Sequence, residues 1–459
     1  MKSTFLHSLI RIFVFIVSVS IVQTASAVDT QTDWNMAAAI VQAIELPVIE
    51  GDVYLITDFG AARGGRQDAR PAILEAINQA SAKGGGRVVI PKGIWLSKGP
   101  IHLKSHVNLH VAEGATLLFS ADHEDYLPAV FTRWEGTEMY GYSPLIYAHK
   151  VTDVAITGTG VIDGNKNSDF HAWHKRQGDD MTMLRRMGID GVPLEKRQFH
   201  KGHFLRPSMI QFIDAQRVLL QDYTVTNSPF WVNHLVYTDH AIMRGVKVDS
   251  MFPNNDGVDV DSSRYVLIEN NRFKTGDDAV VVKSGRDYDG RKIARPSENI
   301  VVRNNEMAGE DGIALGSEMS GGIRHVFFSD NIYRNGSAAI RFKANLDRGG
   351  VVEHVRVRNM DIEKTGQLFW FELTYAAGAM GGNFPSIYRD IVFEDITVGE
   401  TGLVFKANAP KGFPLQDVTL KNITIKKADE LFVIDNVDNL VFDNVQINGQ
   451  RVNGQLDWK

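Results

Sequence analysis

The sequence predicts an all-β protein, a single-stranded right-handed parallel β-helix with a short helix capping its N-terminal end. Three observations carry that prediction. A nine-residue pattern recurs nine times, starting at Arg217, His240, Tyr265, Asn299, His325, His354, Asp390, Asp417 and Asn439, at intervals of 22 to 36 residues. In each copy the second, fourth and ninth positions are apolar or nearly so, as in Val266, Ile268 and Phe273, which is strand alternation followed by a bend and a second short strand. The sixth position reads Asp222, Gly245, Asn270, Asn304, Asp330, Asn359, Asp395, Asn422 and Asn444, the residue types that tolerate a left-handed backbone, so each copy turns a corner there.

Such short strands cannot each bury a face alone, whereas stacked coils share one continuous core. Asp153 to Val161 fits the pattern as an earlier copy, with Gly158 at the corner. A leucine-rich horseshoe would show leucine-spaced repeats with helical returns, and a propeller would need a period near 40 with antiparallel patterning. The 459 residues contain no cysteine, which excludes disulfides, thiolate nucleophiles, zinc–thiolate sites and iron–sulfur clusters. With 49 Lys and Arg against 55 Asp and Glu, the net charge of −6 argues against nucleic acid as a partner.

The elements follow in chain order. Residues 1–27 read as a cleaved export signal: Lys2 and Arg11 precede an apolar run from Ile12 to Val22, and Ala25, Ser26 and Ala27 supply the small residues at the cleavage site. The run is too short to span a bilayer and no later segment replaces it, so the mature protein is expected in the periplasm or outside the cell, without a membrane partner and as a monomer. Residues 28–50 are expected to be a loosely structured lead-in. Asp68 to Lys83 reads as an amphipathic helix, with Pro71 in its first turn and Gly84 to Gly86 ending it, placed to cap the exposed strand edges of the first coil. Residues 51–459 form the β-helix domain, interrupted over 166–204 by a long surface insertion, rich in histidine and mixed charge, that serves as a lid or wall beside a groove.

Coils stacked about 4.8 Å apart turn sequence spacing into geometry. Asp256, Asp277, Asp278, Asp311, Arg341 and Lys343 all fall in the segment that follows the repeat motif in four consecutive coils, and so predict carboxylates on one flank with two cations beside them. Like charges on adjacent coils push at least one pKa upward. That suits glycoside hydrolysis, in which one carboxylic acid protonates the leaving oxygen and another carboxylate activates water. The plainer alternative is that Asp256 and Asp277 fill turns, and a further one is a calcium site made by Asp256, Asp259 and Asp261.

Asn254-Asn255-Asp256-Gly257, Gly276-Asp277-Asp278 and Arg341-Phe342-Lys343, in this order and spacing, resemble the motif series of the polygalacturonases, glycoside hydrolase family 28. Tyr54 to Gly60 and Gly84 to Gly93 resemble the family's opening. Ser228-Pro229-Phe230-Trp231 and Gly316 to Gly322 resemble its bacterial exo-acting branch. The resemblance implies a pectin-lyase-like fold and an inverting, exo-acting hydrolase of α-1,4-linked galacturonate in pectin, with no metal or organic cofactor. It also implies Asp277 as general acid, Asp256 and Asp278 as the residues that activate water, and Arg341 and Lys343 as binders of a substrate carboxylate. A planar guanidinium and an ammonium beside a sugar site suit a uronic acid on physical grounds as well. Asn254, Asp311 and His234 complete the expected substrate-binding set, with a core role for His234 an equal alternative.

One departure qualifies the resemblance. Where the family carries Gly-His-Gly one coil after the aspartate pair, this chain reads Glu310-Asp311-Gly312. An anionic Asp311 there is expected to disturb the catalytic acid and repel a uronate. The alternatives it opens are a related pectic backbone such as rhamnogalacturonan, or a non-catalytic glycan-binding β-helix. A β-eliminating pectate lyase shares the architecture, but would need calcium and leave an unsaturated product.

Overall fold

The structure, a computed structural model, describes residues 30–458. The export-signal reading of residues 1–27 lies outside them. Thirty-one strands join one sheet that winds through successive coils, and almost every pairing is parallel. The coil beginning at Arg264, for example, pairs in register with those before and after it: Val266 stands between Ala241 and Ile300, and Ile268 between Met243 and Val302. The three apolar positions of the repeat form interior columns. Val218, Ala241, Val266, Ile300, Val326 and Val355 make one, and Val225, Val248, Phe273, Met307, Tyr333 and Ile362 another, all buried. The antiparallel strand Gln450–Trp458 folds back on Val437–Ile447 and covers the last parallel edge.

The corners lie where Asp, Asn and Gly stand at the sixth position, with φ between 50° and 68° from Asp222 to Asn444. The first position of every copy is left-handed as well, including Arg217, His240 and Tyr265. Seven of these nine first positions are Asn, Asp or His, types enriched in that conformation, so the second corner too is marked in the composition of the repeat.

The capping helix runs Arg70–Ala82 and buries Ala72, Ile73, Ala76, Ile77 and Ala80 against the first coil. One expectation needs correction: within the expected loose lead-in of residues 28–50, Gln31–Ala43 is a helix. Its Trp34, Ala37 and Ile40, with Ile44, pack on an outer stripe of Ile242, Leu267, Val301 and Phe327. Trp34 Nε1 donates to Glu394 and Arg356 pairs with Asp33, so the helix clamps coils far apart in sequence. The 166–204 insertion contains the helices Phe170–Trp173 and Gly178–Ile189 and the strand Gln198–Phe199. That strand adds to a hairpin, Val130–Trp134 with Thr137–Gly141, which stands off the coil stack as a second sheet.

Candidate active site

The stacked strands Val258–Asp261, Val280–Lys283, Asp311–Leu315 and Ala338–Lys343 build the site from the coil upward. Asp256 lies in the turn that enters the first of them. Asn255 fixes that turn, its Oδ1 accepting from Ser250 and Phe252 N while its Nδ2 donates to the Ser228 and Phe230 carbonyls. Asp277 and Asp278 occupy the equivalent turn one coil later, held by Thr275 Oγ1 and the Glu310 amide, both donating to the Asp277 carbonyl. Carboxylate oxygens of Asp256, Asp277 and Asp278 converge to within 4.8 Å of one another. They open into a cavity of about 120 Å³ that is also lined by Asn254, Trp231, Lys283, Arg286, Glu318, Lys343 and Tyr375.

Electrostatics separate the carboxyls. Burial, reinforced by the Asp278 charge, pushes Asp277 up to about 7. Burial acts on Asp278 in the same direction, but Lys343, 2.6 Å away, and Lys283 outweigh it and hold Asp278 below its ordinary value. Asp256 is raised well above the usual carboxylate range by burial and by Asp259 and Asp277. The site thus keeps a protonated carboxyl directly beside an ionised one. Among the described residues, Oδ1 of Asp256 and Oδ1 of Asp278 accept no hydrogen bond. Asn254 donates to Asp277 Oδ2 at 3.3 Å and is oriented by the buried Arg206, which bonds its side-chain oxygen and the Pro229 and Pro253 carbonyls.

Two predicted residues sit elsewhere than expected. His234 is fully buried behind the cavity, its Nδ1 bonded to Gln211 and its Nε2 3.7 Å from Asp261, because the hairpin covers that row of the sheet. It cannot meet substrate. Asp311 is buried between Arg341 at 3.1 Å and Lys343 at 3.3 Å, and burial with the Asp278 charge raises it to about 7. It therefore neither faces a sugar nor presses on Asp277; the acid neighbouring Asp277 from the next coil is Glu310. Arg341 is tied to Asp311 and to Glu372 at 2.5 Å, with its guanidinium carbon 5.6 Å from the ring of Tyr375, which lines the cavity. The calcium alternative meets Lys283, whose ammonium stands 3.9 Å from Asp256 and 3.7 Å from Asp259, while Asp261 pairs with Arg133. Asp256, Asp277 and Asp278 converge at metal-binding spacing, the outer two buried and Asp277 half-buried, but two ammonium groups already balance them.

Several site residues escaped the sequence reading. Glu318 bridges Lys283 at 3.1 Å, Arg286 at 2.5 Å and Arg348 at 3.9 Å, and these cations hold it well below its ordinary value against the opposing effect of burial. Glu135, from the hairpin turn, joins Arg286 at 3.2 Å to Arg185 of the insertion at 2.7 Å. Lys283 was detectable by counting, since it follows Asp278 by five residues as Lys343 follows Ala338. Glu135 and Arg185 carried no such signal, because the excursions that bring them here have no coil register. Together the hairpin and insertion close the sheet face on its N-terminal side: Thr132 bonds Gln211, Arg133 bonds Asp261, and Trp134 stacks on Phe230. A larger open trough of about 1080 Å³ lies on the neighbouring outer face, where Lys274 pairs with Asp249, Arg272 with Glu306, and Arg334 with Glu306 and Glu363.

Comparison with known proteins agrees with this geometry. Residues 54–117 match the profile described as Rhamnogalacturonase A/epimerase, pectate lyase-like. A probable polygalacturonase of Vitis vinifera is 29% identical over 409 residues, covering 85% of this chain and 78% of its own length. An endo-polygalacturonase of Pectobacterium carotovorum is 28% identical over 354 residues, covering 75% and 80%. The crystal structure of a hyperthermoactive exopolygalacturonase from Thermotoga maritima superposes with a TM-score of 0.87 at 35% identity, over 93% of this chain and all of that one. Residues 100–446, which include the whole carboxylate cluster, match the profile of the glycosyl hydrolases family 28, and the chain belongs to that family of glycoside hydrolases.

Proposed function

We propose that the protein is an exo-acting hydrolase of the α-1,4-galacturonosidic bonds of pectin, exported through the residue 1–27 signal, in which Asp277 is the general acid and Asp278, with Asp256, holds and activates the water. The observation that carries this reading is the split between adjacent carboxyls, Asp277 raised to about 7 and Asp278 lowered by Lys343. A proton donor and a proton acceptor are then ready side by side near neutral pH. Asp277 gives its proton to the bridging oxygen as the glycosidic bond breaks. The water, held also by Asp256, attacks the anomeric carbon and loses its proton to the ionised Asp278, leaving two saturated products. Lys343, which lines the cavity, meets the substrate carboxylate, and Arg341 supports it from behind through Asp311.

The closed N-terminal side supports terminal attack, since a chain end fits against the Glu135–Arg185 wall but a chain cannot pass through it. Capillary viscometry against reducing-end release tests this: exo action liberates reducing ends with little loss of polygalacturonate viscosity, and an early collapse of viscosity would refute it. The family resemblance supports inversion. The carboxylate spacing does not add to that support, being shorter than the roughly 6.5–9.5 Å usual for inverting pairs. Proton NMR of the first product formed decides: the β-anomer is expected, and the α-anomer would mean retention.

A further inference from the structure

Beyond the cavity, the register places Arg341, Trp370 and Lys406 at one position of three successive coils, with Trp370 and Lys406 half-buried. The Trp370 ring stands between the two cations, 3.8 Å from the Arg341 guanidinium carbon and 4.3 Å from Lys406 Nζ. The cations differ in one respect. Arg341 is neutralised by Asp311 and Glu372, whereas among the described residues Lys406 has no carboxylate within 4 Å. The next residue in the row, Val433, is exposed and uncharged, so the series of polar groups ends at Lys406. The loop after Glu372 flanks the row, with Thr374 accepting from Asn408 and Tyr375 placed 5.6 Å from the Arg341 guanidinium carbon.

We propose that Lys406, seated on Trp370, is a distal subsite for a uronate carboxylate on the part of the substrate chain beyond the cleaved bond. The inference rests on the galacturonan reading above. Lys406 lies four coils past the strand that follows Asp277 and Asp278, roughly 19 Å at about 4.8 Å per coil. Each coil step is close to the length of one 1,4-linked pyranose, so a chain lying along the row presents an acidic ring at Lys406 only when it extends about four rings past the cleavage point. An unpaired ammonium supported by an indole face is the complement of such a repeating anion. It would draw long chains into the groove without touching the reacting sugars.

The test compares wild type with Lys406→Gln and Lys406→Glu on digalacturonate, too short to reach the row, and on hexagalacturonate. The expected result is a fall of about fivefold in the ratio of hexamer to dimer kcat/KM for Lys406→Gln, carried by KM and weakened by added salt, and a larger fall for Lys406→Glu. An unchanged ratio in both variants overturns the subsite. So does a lowered melting temperature with equal loss on both substrates, which would make the Arg341–Trp370–Lys406 column a structural staple. If wild type releases no galacturonate from either substrate, the galacturonan reading itself falls and takes the subsite with it.

Discussion

Asp277 holds its proton because burial and the Asp278 charge act together, and the same cause sets two measurable pH dependences. The proposed role of general acid needs this carboxyl protonated, so kcat/KM is expected to fall as pH rises past about 7, while the acid limb, set by the lowered Asp278, lies below the ordinary carboxylate range. For stability, a pKa raised on folding means that the native state binds the proton more tightly. That contribution is complete below the unfolded pKa near 4 and is lost as pH climbs toward 7. Asp277→Asn is therefore expected to lower kcat by at least about 10³-fold while leaving a folded protein whose stability relative to wild type increases between pH 4 and pH 8. Circular dichroism melts at both pH values check the second part, and residual turnover near wild type would remove Asp277 from its role. The three aspartates were legible because their motifs recur at one coil position. His234 was misplaced because its row is covered by the hairpin, a segment with no repeat to read. Asp311 was misjudged because a strand start turned its side chain toward Arg341 and Lys343, and the sequence gives no sign of that rotation.

At the scale of elements, two devices hold the coils in register. Inside the corner, Asn271, Asn305 and Asn331 form a ladder: each side-chain oxygen accepts the backbone N–H of the coil before it, and each amide donates to the carbonyls of Met243, Ile268 and Val302 in turn. Asn305→Ala strips partners from buried groups on both neighbours and is expected to cost about 2–3 kcal/mol in chemical denaturation, with Asn305→Asp failing to restore it because the lost amide donors have no substitute. On the outside, the N-terminal helix covers apolar residues at the third position of four copies. Simple alternation assigns that position to solvent, and the apolar stripe of Ile242, Leu267, Val301 and Phe327 was the available signal that something packs there. Trp34→Ala removes the largest side chain from this contact and its bond to Glu394, for an expected loss of about 3–5 kcal/mol with kcat retained, since the helix lies away from the cavity.

For the whole molecule, the coil stack converts a one-dimensional repeat into a groove with a direction. Its N-terminal side is closed by the hairpin and insertion, its centre carries the carboxyls proposed as acid and base, and Arg341, Trp370 and Lys406 follow in register on its C-terminal side. The repeat made the stack readable from sequence alone. The closure was readable only as a long interruption of that repeat, because its helices, its small sheet and the Glu135–Arg185 contact are set by packing against the coils and not by any period of their own. The most direct test of this account is the time course of products from polygalacturonate, followed by chromatography and ultraviolet absorbance in the presence of chelator, with Asp277→Asn protein as control. The account predicts saturated monogalacturonate from the first minutes, absent with the variant. A spread of oligomers, an unsaturated absorbing product, or equal release by Asp277→Asn would contradict it.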